Sequence, residues 1–190
     1  MDAALIVGLG NPGRAYAHMR HNLGFMVVEE LCKRHRVRLR PGAGSYDRAE
    51  TALGSTTLHL LVPSTYMNLS GPAVADALEE FGLSADRTLI VLDDFQLPLG
   101  LLRLRPGGSD GGHNGLASVL QSLGTEAVPR LRCGIGTATM PPSEGRRAFV
   151  LEPFAQEEID TARAMVLRAA DAANVFVESG IERAMNTYNT

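Results

Sequence analysis

The chain opens with an apolar run, Ala4 to Val7, that ends abruptly in three glycines at the spacing Gly8-x-Gly10-x-x-Gly13. A buried strand stops like this where the backbone must turn sharply or come very close to something else. Taken alone, the spacing is the dinucleotide fingerprint, which also requires a helix opening at the glycines and an acidic side chain about 20 residues on for a ribose hydroxyl. Neither follows here. Arg14 to His21 is polar and aperiodic, and Lys33-Arg34-His35-Arg36 is basic where the carboxylate should stand. The other reading is that Asn11, Tyr16 and His21 are the functional groups, on a loop leaving the carboxyl end of the first strand, where open α/β sheets place their ligands.

Downstream, strand and helix patterns alternate. Phe25, Val28, Leu31, Cys32 and His35 recur at helical spacing, which puts His21 and Asn22 just before or within the first turn of a helix. Tyr46 to Leu53 and Thr57 to Val62, joined by Gly54-Ser55, predict a hairpin. The segment Pro63 to Pro72 reads as a loop carrying Tyr66 and Met67, ahead of a helix through Val74, Leu78 and Phe81 that Gly82 closes with a left-handed cap. Thr88 to Leu92 predicts a strand buried on both faces that stops at Asp93-Asp94. Leu101 to Arg105 alternates apolar and basic side chains, as in a half-buried strand with Arg103 and Arg105 outward.

Five glycines within residues 107–115 predict a functional loop, followed by a helix from Leu116 to Leu123 that Gly124 closes, and by a strand from Leu131 to Gly136. Thr137 to Arg147, with two prolines and two arginines, predicts a mobile loop. A helical face then runs from Ile159 to Val177 before Gly180, with a short amphipathic tail to Thr190. The implied fold class is α/β: a single-domain mixed, mostly parallel twisted sheet with helices on both faces, spanning residues 1–190.

Composition narrows the possible functions. With 190 residues and 45% hydrophobic side chains, the chain can build one core. No apolar run approaches the ~20 residues of a membrane span, and Met-Asp-Ala-Ala lacks a signal peptide's charged start, so the expected location is cytoplasmic. Cys32 and Cys133 read as buried hydrophobes without metal-ligand spacing. Eighteen Lys+Arg against 21 Asp+Glu give a net charge of −3, which argues mildly against a nucleic-acid binder unless the cations cluster. No Gly-x-Ser-x-Gly elbow is present, so a histidine-activated water is a better candidate than a covalent nucleophile. Asp93 at a strand end and His21 on a strand-following loop are placed to meet across the top of the sheet. Asn11, Asn68 and Asn114 lie in three separate glycine-containing loops, and asparagine offers a donor and an acceptor without charge.

Gly-Leu-Gly-Asn-Pro-Gly with Tyr16 and Arg20-His21-Asn22, Tyr66-Met67-Asn68-Leu-Ser-Gly71, Asp93-Asp94 before Leu97-Pro98, and Gly111-Gly112-His113-Asn114-Gly115-Leu116 together resemble the bacterial-type peptidyl-tRNA hydrolase family. The resemblance implies hydrolysis of the ester between a peptide and the terminal ribose of tRNA, without metal or cofactor, by a monomer with no stable protein partner. It implies His21 as the base and Asp93 as its support. Asn11 would select blocked amino ends, and Tyr16, Tyr66, Met67, Asn68, His113 and Asn114 would bind the tRNA–peptide junction. Arg103, Arg105 and Arg132 would face acceptor-stem phosphates. Met19, Leu92 and Gln96 depart from the family pattern. Two rival readings remain: an RNA-binding relative with a splicing role, and a nucleotide-cofactor enzyme built on the glycine fingerprint.

Overall fold

A computed structural model describes residues 2–138 and 140–189; Met1, Thr139 and the tail's final Thr190 lie outside the described residues. Among the described residues, seven strands form one sheet: β1 (Ala3–Gly8), β2 (Arg40–Pro41), β3 (Tyr46–Leu53), β4 (Thr56–Pro63), β5 (Thr88–Pro98), β6 (Leu102–Arg105) and β7 (Arg130–Gly136), in the order β2-β3-β4-β1-β5-β7-β6. The four central strands β4, β1, β5 and β7 run parallel, while β2, β3 and β6 join the edges antiparallel. The predicted hairpin is β3–β4.

Alternation along the strands divides the core. Ala4, Ile6, Leu60, Val91, Leu104 and Cys133 face one way, towards α1 (Leu23–His35) and α5 (Ile159–Tyr188). Leu5, Val7, Leu61, Ile90 and Leu92 face the other way, towards α2 (Ser70–Phe81) and α3 (Asn114–Leu123). Each face is a separate apolar layer, as a sheet covered on both sides requires. Gly82 and Gly124 take the left-handed cap conformation, and the long helix α5 breaks at Gly180 as its sequence predicts. Among the described residues, no helix is long and apolar enough to cross a membrane.

The chain leaves β1 for the α1 face and leaves its neighbour β4 for the α2 face. The crevice between their carboxyl ends is therefore a topological switch point, where such sheets bind ligands. The glycines that mark this end of β1 admit the protein's own atoms. A Cβ on Gly8 would lie 2.2 Å from the Gly24 carbonyl oxygen, and one on Gly10 would lie 2.5 Å from the Phe25 ring. The space a dinucleotide pyrophosphate would need is filled by α1, which overturns the cofactor reading of the fingerprint.

Three boundaries differ from the sequence expectation. β5 does not stop at Asp93-Asp94 but continues to Pro98, because β7 pairs with it as far as Gly136 through a register shift between Asp94 and Pro98. The loop after β4 is shorter than predicted: a turn at Met67–Leu69 leads straight into α2 at Ser70, and Pro72 fits the first helical turn, where no N–H is needed. Residues 137–147 do not form one uninterrupted loop, since a turn at Ser143–Gly145 opens a short helix α4 (Arg146–Val150) that buries Phe149.

Candidate active site

β1 pairs with β5 only as far as Gly8 opposite Val91. Asp93, two residues further along β5, therefore lies where β1 no longer lines its strand. His21 sits in the turn Arg20–Asn22 that precedes α1. The start of that helix is drawn onto the sheet by Gly24, whose hypothetical Cβ would lie 2.4 Å from both the Leu9 nitrogen and the Val91 oxygen. The close approach brings His21 Nδ1 to 2.8 Å from Asp93 Oδ1. The expected pairing thus forms across the top of the sheet.

A second imidazole reaches the same oxygen, with His113 Nε2 3.0 Å from Asp93 Oδ1. His113 is the N-cap of α3, and its Nδ1 accepts the Leu116 N–H at 3.2 Å. A ring nitrogen that accepts a backbone N–H carries no proton, so these partners assign the proton to Nε2, which donates to Asp93. Asp93 accepts from His21 Nδ1–H by the same reasoning, leaving His21 Nε2 with a free lone pair. Asp93 is 2% exposed. Burial alone would raise its pKa, but attraction to the two imidazoles and their hydrogen bonds hold it well below the usual carboxylate range. Asp93 is therefore held as an anion around neutral pH.

Ligand atoms of His21, Asp93 and His113 lie within 4.8 Å of one another, a spacing compatible with a metal. Their lone pairs do not converge on an open point, however. Both inward-facing imidazole nitrogens aim at one carboxylate oxygen, and the other His113 nitrogen is taken by the α3 backbone. The arrangement is a hydrogen-bonded relay with a single unoccupied base. Neither cysteine offers a nucleophile: burial pushes the Cys32 thiol up to about 11, and burial followed by the nearby Asp93 and Asp94 charges pushes Cys133 further still.

Asn11 bridges the switch-point crevice. Its Oδ1 accepts the Met67 N–H at 2.8 Å, tying the loop after β1 to the loop after β4. Its backbone is gripped by Asn22, which accepts the Asn11 N–H at 2.9 Å and donates to the Asn11 carbonyl at 2.8 Å. With its oxygen occupied, Asn11 presents its NH₂ to the cleft, so it acts as a donor.

The cleft has a volume of about 560 Å³ and brings together Asn11, Tyr16, His21, Tyr66, Met67, Asn68, Asp93, His113 and Asn114. Tyr16 and Tyr66 meet edge to face at 6.4 Å, with Tyr66 58% exposed at the rim. The sequence reading missed a further wall, formed by Phe95 with Arg146, Arg147, Val150 and Leu151. The Arg146 guanidinium stacks 4.9 Å above the Phe95 ring. Of these wall residues, Arg146 and Arg147 come from the segment expected to be loop and Val150 and Leu151 directly follow it, where no periodic pattern signals them.

The three arginines expected to bind phosphate do not line the cleft. They lie on β6 and β7, reached through the glycine loop, where Gln96 Nε2 holds the Gly111 carbonyl at 3.0 Å. Arg103 stands opposite Arg132, and Arg105 is exposed with no ion pair among the described residues. Arg132 is not a free guanidinium: its Nη2 pairs with the buried Asp94 at 2.5 Å. That pairing distinguishes Arg132 from Arg103 and Arg105. The other departures are accommodated, with Met19 bridging to Pro153 and Leu92 packing in the α2–α3 layer.

Comparison with known proteins adds to this geometry. A sequence model of the family described as peptidyl-tRNA hydrolase matches residues 5–190. A peptidyl-tRNA hydrolase of Synechococcus sp. (strain CC9605) is 46% identical over 187 residues, spanning 96% of this chain and 91% of that protein. One of Chloroflexus aggregans is 45% identical over 187 residues, spanning 97% and 98%. The crystal structure of peptidyl-tRNA hydrolase from Acinetobacter baumannii matches with a TM-score of 0.92 at 32% identity, covering 99% of this chain and 95% of that one.

Proposed function

This chain belongs to the peptidyl-tRNA hydrolase family and hydrolyses the ester bond of peptidyl-tRNA, and from that premise we propose that His21 is the base that activates the attacking water. The supporting observation is that both inward-facing imidazoles share one Asp93 oxygen while only His21 keeps a ring nitrogen free for the cleft. Water attacks the ester carbonyl as Nε2 takes its proton, and Asp93 stabilises the imidazolium that forms. Collapse of the tetrahedral intermediate breaks the bond to the ribose oxygen, which recovers the proton from His21. The products are a peptide carboxylate and a tRNA with a free terminal hydroxyl.

In the same reading, the Asn11 NH₂ donates to a peptide carbonyl near the blocked amino end. Asn68 and Asn114, both exposed in the cleft, orient the polar groups of the ester, and the tyrosine pair packs against the terminal nucleoside. Met67 and His113 form the cleft floor, while Arg103 and Arg105 take backbone phosphates, assisted by Arg132 if it leaves Asp94. The 190-residue chain works as one unit and as a monomer in the cytoplasm. Hydrolase relatives matched along nearly the full length support this reading over an RNA-binding relative without hydrolysis.

Hydrolysis of an N-acetyl-aminoacyl-tRNA by the His21→Ala variant tests the proposal. General-base assistance contributes ~10²- to 10⁴-fold, so the rate should fall by that factor while tRNA affinity persists. Equal rates for wild type and variant would overturn the role of His21.

A further inference from the structure

Arg20 immediately precedes His21 and is only 5% exposed. Its backbone N–H donates to the Glu152 carbonyl at 3.0 Å, beside an isolated antiparallel bridge between Met19 and Pro153. Its Nη1 donates to the carbonyls of Glu152, at 3.4 Å, and Pro153. Its Nη2 pairs with Glu158 Oε2 at 2.6 Å, and the same oxygen accepts the Ala155 N–H at 2.7 Å, at the turn that opens α5. The rings of Phe149 and Phe154 lie 4.4 and 5.3 Å from the guanidinium carbon. One planar cation thus fastens the turn that bears the base to Phe149 in the cleft-wall segment and to the stretch from Glu152 to Glu158 that follows it.

A buried ion pair stabilises a fold little better than well-packed apolar side chains would, and here the Nε–H finds no partner. What this pair supplies beyond burial is direction. Phe149, held against Arg20, is followed directly by Val150 and Leu151, which line the same cleft as His21. We propose that Arg20 is a positioning residue that registers this wall against His21, so that an ester lying on Val150 and Leu151 faces the free imidazole nitrogen. The proposal rests on His21 being the base.

The test compares Arg20→Lys, Glu158→Gln and the double variant by steady-state hydrolysis of N-acetyl-aminoacyl-tRNA, with tRNA affinity, thermal unfolding and amide exchange over residues 147–154. Misplacement by an ångström can cost 10²-fold, so kcat should fall roughly 10- to 100-fold in Arg20→Lys, with KM and tRNA affinity near wild type. Wall amides should exchange faster. Glu158→Gln should lower kcat in the same direction, and the double variant should fall short of the product of the single effects, because both act through one contact. Glu158 does not line the cleft, so its variant decides the matter if the Arg20 variant fails to fold. Retained kcat in folded variants, or a loss confined to KM, would overturn the positioning role. Wild-type rates in His21→Ala would instead overturn the base assignment, whatever Arg20 does.

Discussion

Replacing Asp93 by Asn removes one charge and almost no volume. The amide oxygen can still accept from His21 and His113, which now stand 2.8 and 3.0 Å from Oδ1, so the variant isolates the electrostatic contribution. In the transition state the His21 ring becomes cationic about 4 Å from the lost charge. At an effective dielectric near 20 that interaction is worth about 4 kcal/mol. The amide dipole retains part of it, leaving a deficit of about 3 to 4 kcal/mol, or roughly 10²- to 10³-fold in rate. Because the loss arises only as charge develops on His21, it should appear in kcat with KM little changed. The assay is steady-state release of tRNA from N-acetyl-aminoacyl-tRNA, with tRNA affinity measured separately. A kcat within a few-fold of wild type across the pH range would refute the relay and reduce Asp93 to a strand carboxylate that caps two histidines.

The same residue should govern acid stability. Its folded pKa lies below its unfolded value of about 3.9, so between the two the unfolded chain binds the proton more readily. Its contribution is therefore full above about pH 5 and is lost as pH falls through and below the ordinary carboxylate range; urea unfolding of Asp93→Asn should depend less steeply on pH there, and parallel curves would contradict this. Arg105→Ala should weaken tRNA binding and flatten the dependence of log affinity on log salt by about 0.7 to 0.9, and an unaltered slope would remove β6 from the binding face. Asn11→Asp replaces a cleft-facing donor with an anion while keeping the Met67 bond, so turnover of blocked substrate should fall by about 1 kcal/mol or roughly fivefold, with selectivity against free aminoacyl-tRNA relaxed; unchanged selectivity would place discrimination elsewhere.

Local order was legible wherever one element carried its own periodicity. The apolar stripe of α1, the alternation of β6 and the glycine stops after α2 and α3 each follow from spacing within a short window. Asp93, His21 and the three asparagines could be singled out because they recur together at strand ends and in glycine-containing loops, where open α/β sheets place their ligands. The wall of Arg146, Arg147, Val150 and Leu151 was not legible. α4 has only five residues, too few for a helical period to emerge between two prolines and the turn at Gln156–Glu158.

By itself, the sequence determined the α/β architecture and the family, and singled out the residues proposed to carry the chemistry, since these depend on composition, short-range spacing and motif order. Only the tertiary structure decided which proton sits where. Both histidines could have been bases until the α3 backbone claimed His113 Nδ1, and Asn11 could have donated or accepted until the Met67 N–H took its oxygen. It also decided that Arg132 is tied to Asp94 while Arg105 stays exposed. The physical reason is common to all three. A side chain offers several hydrogen-bonding states, and its role depends on which of them distant backbone and charges have already occupied.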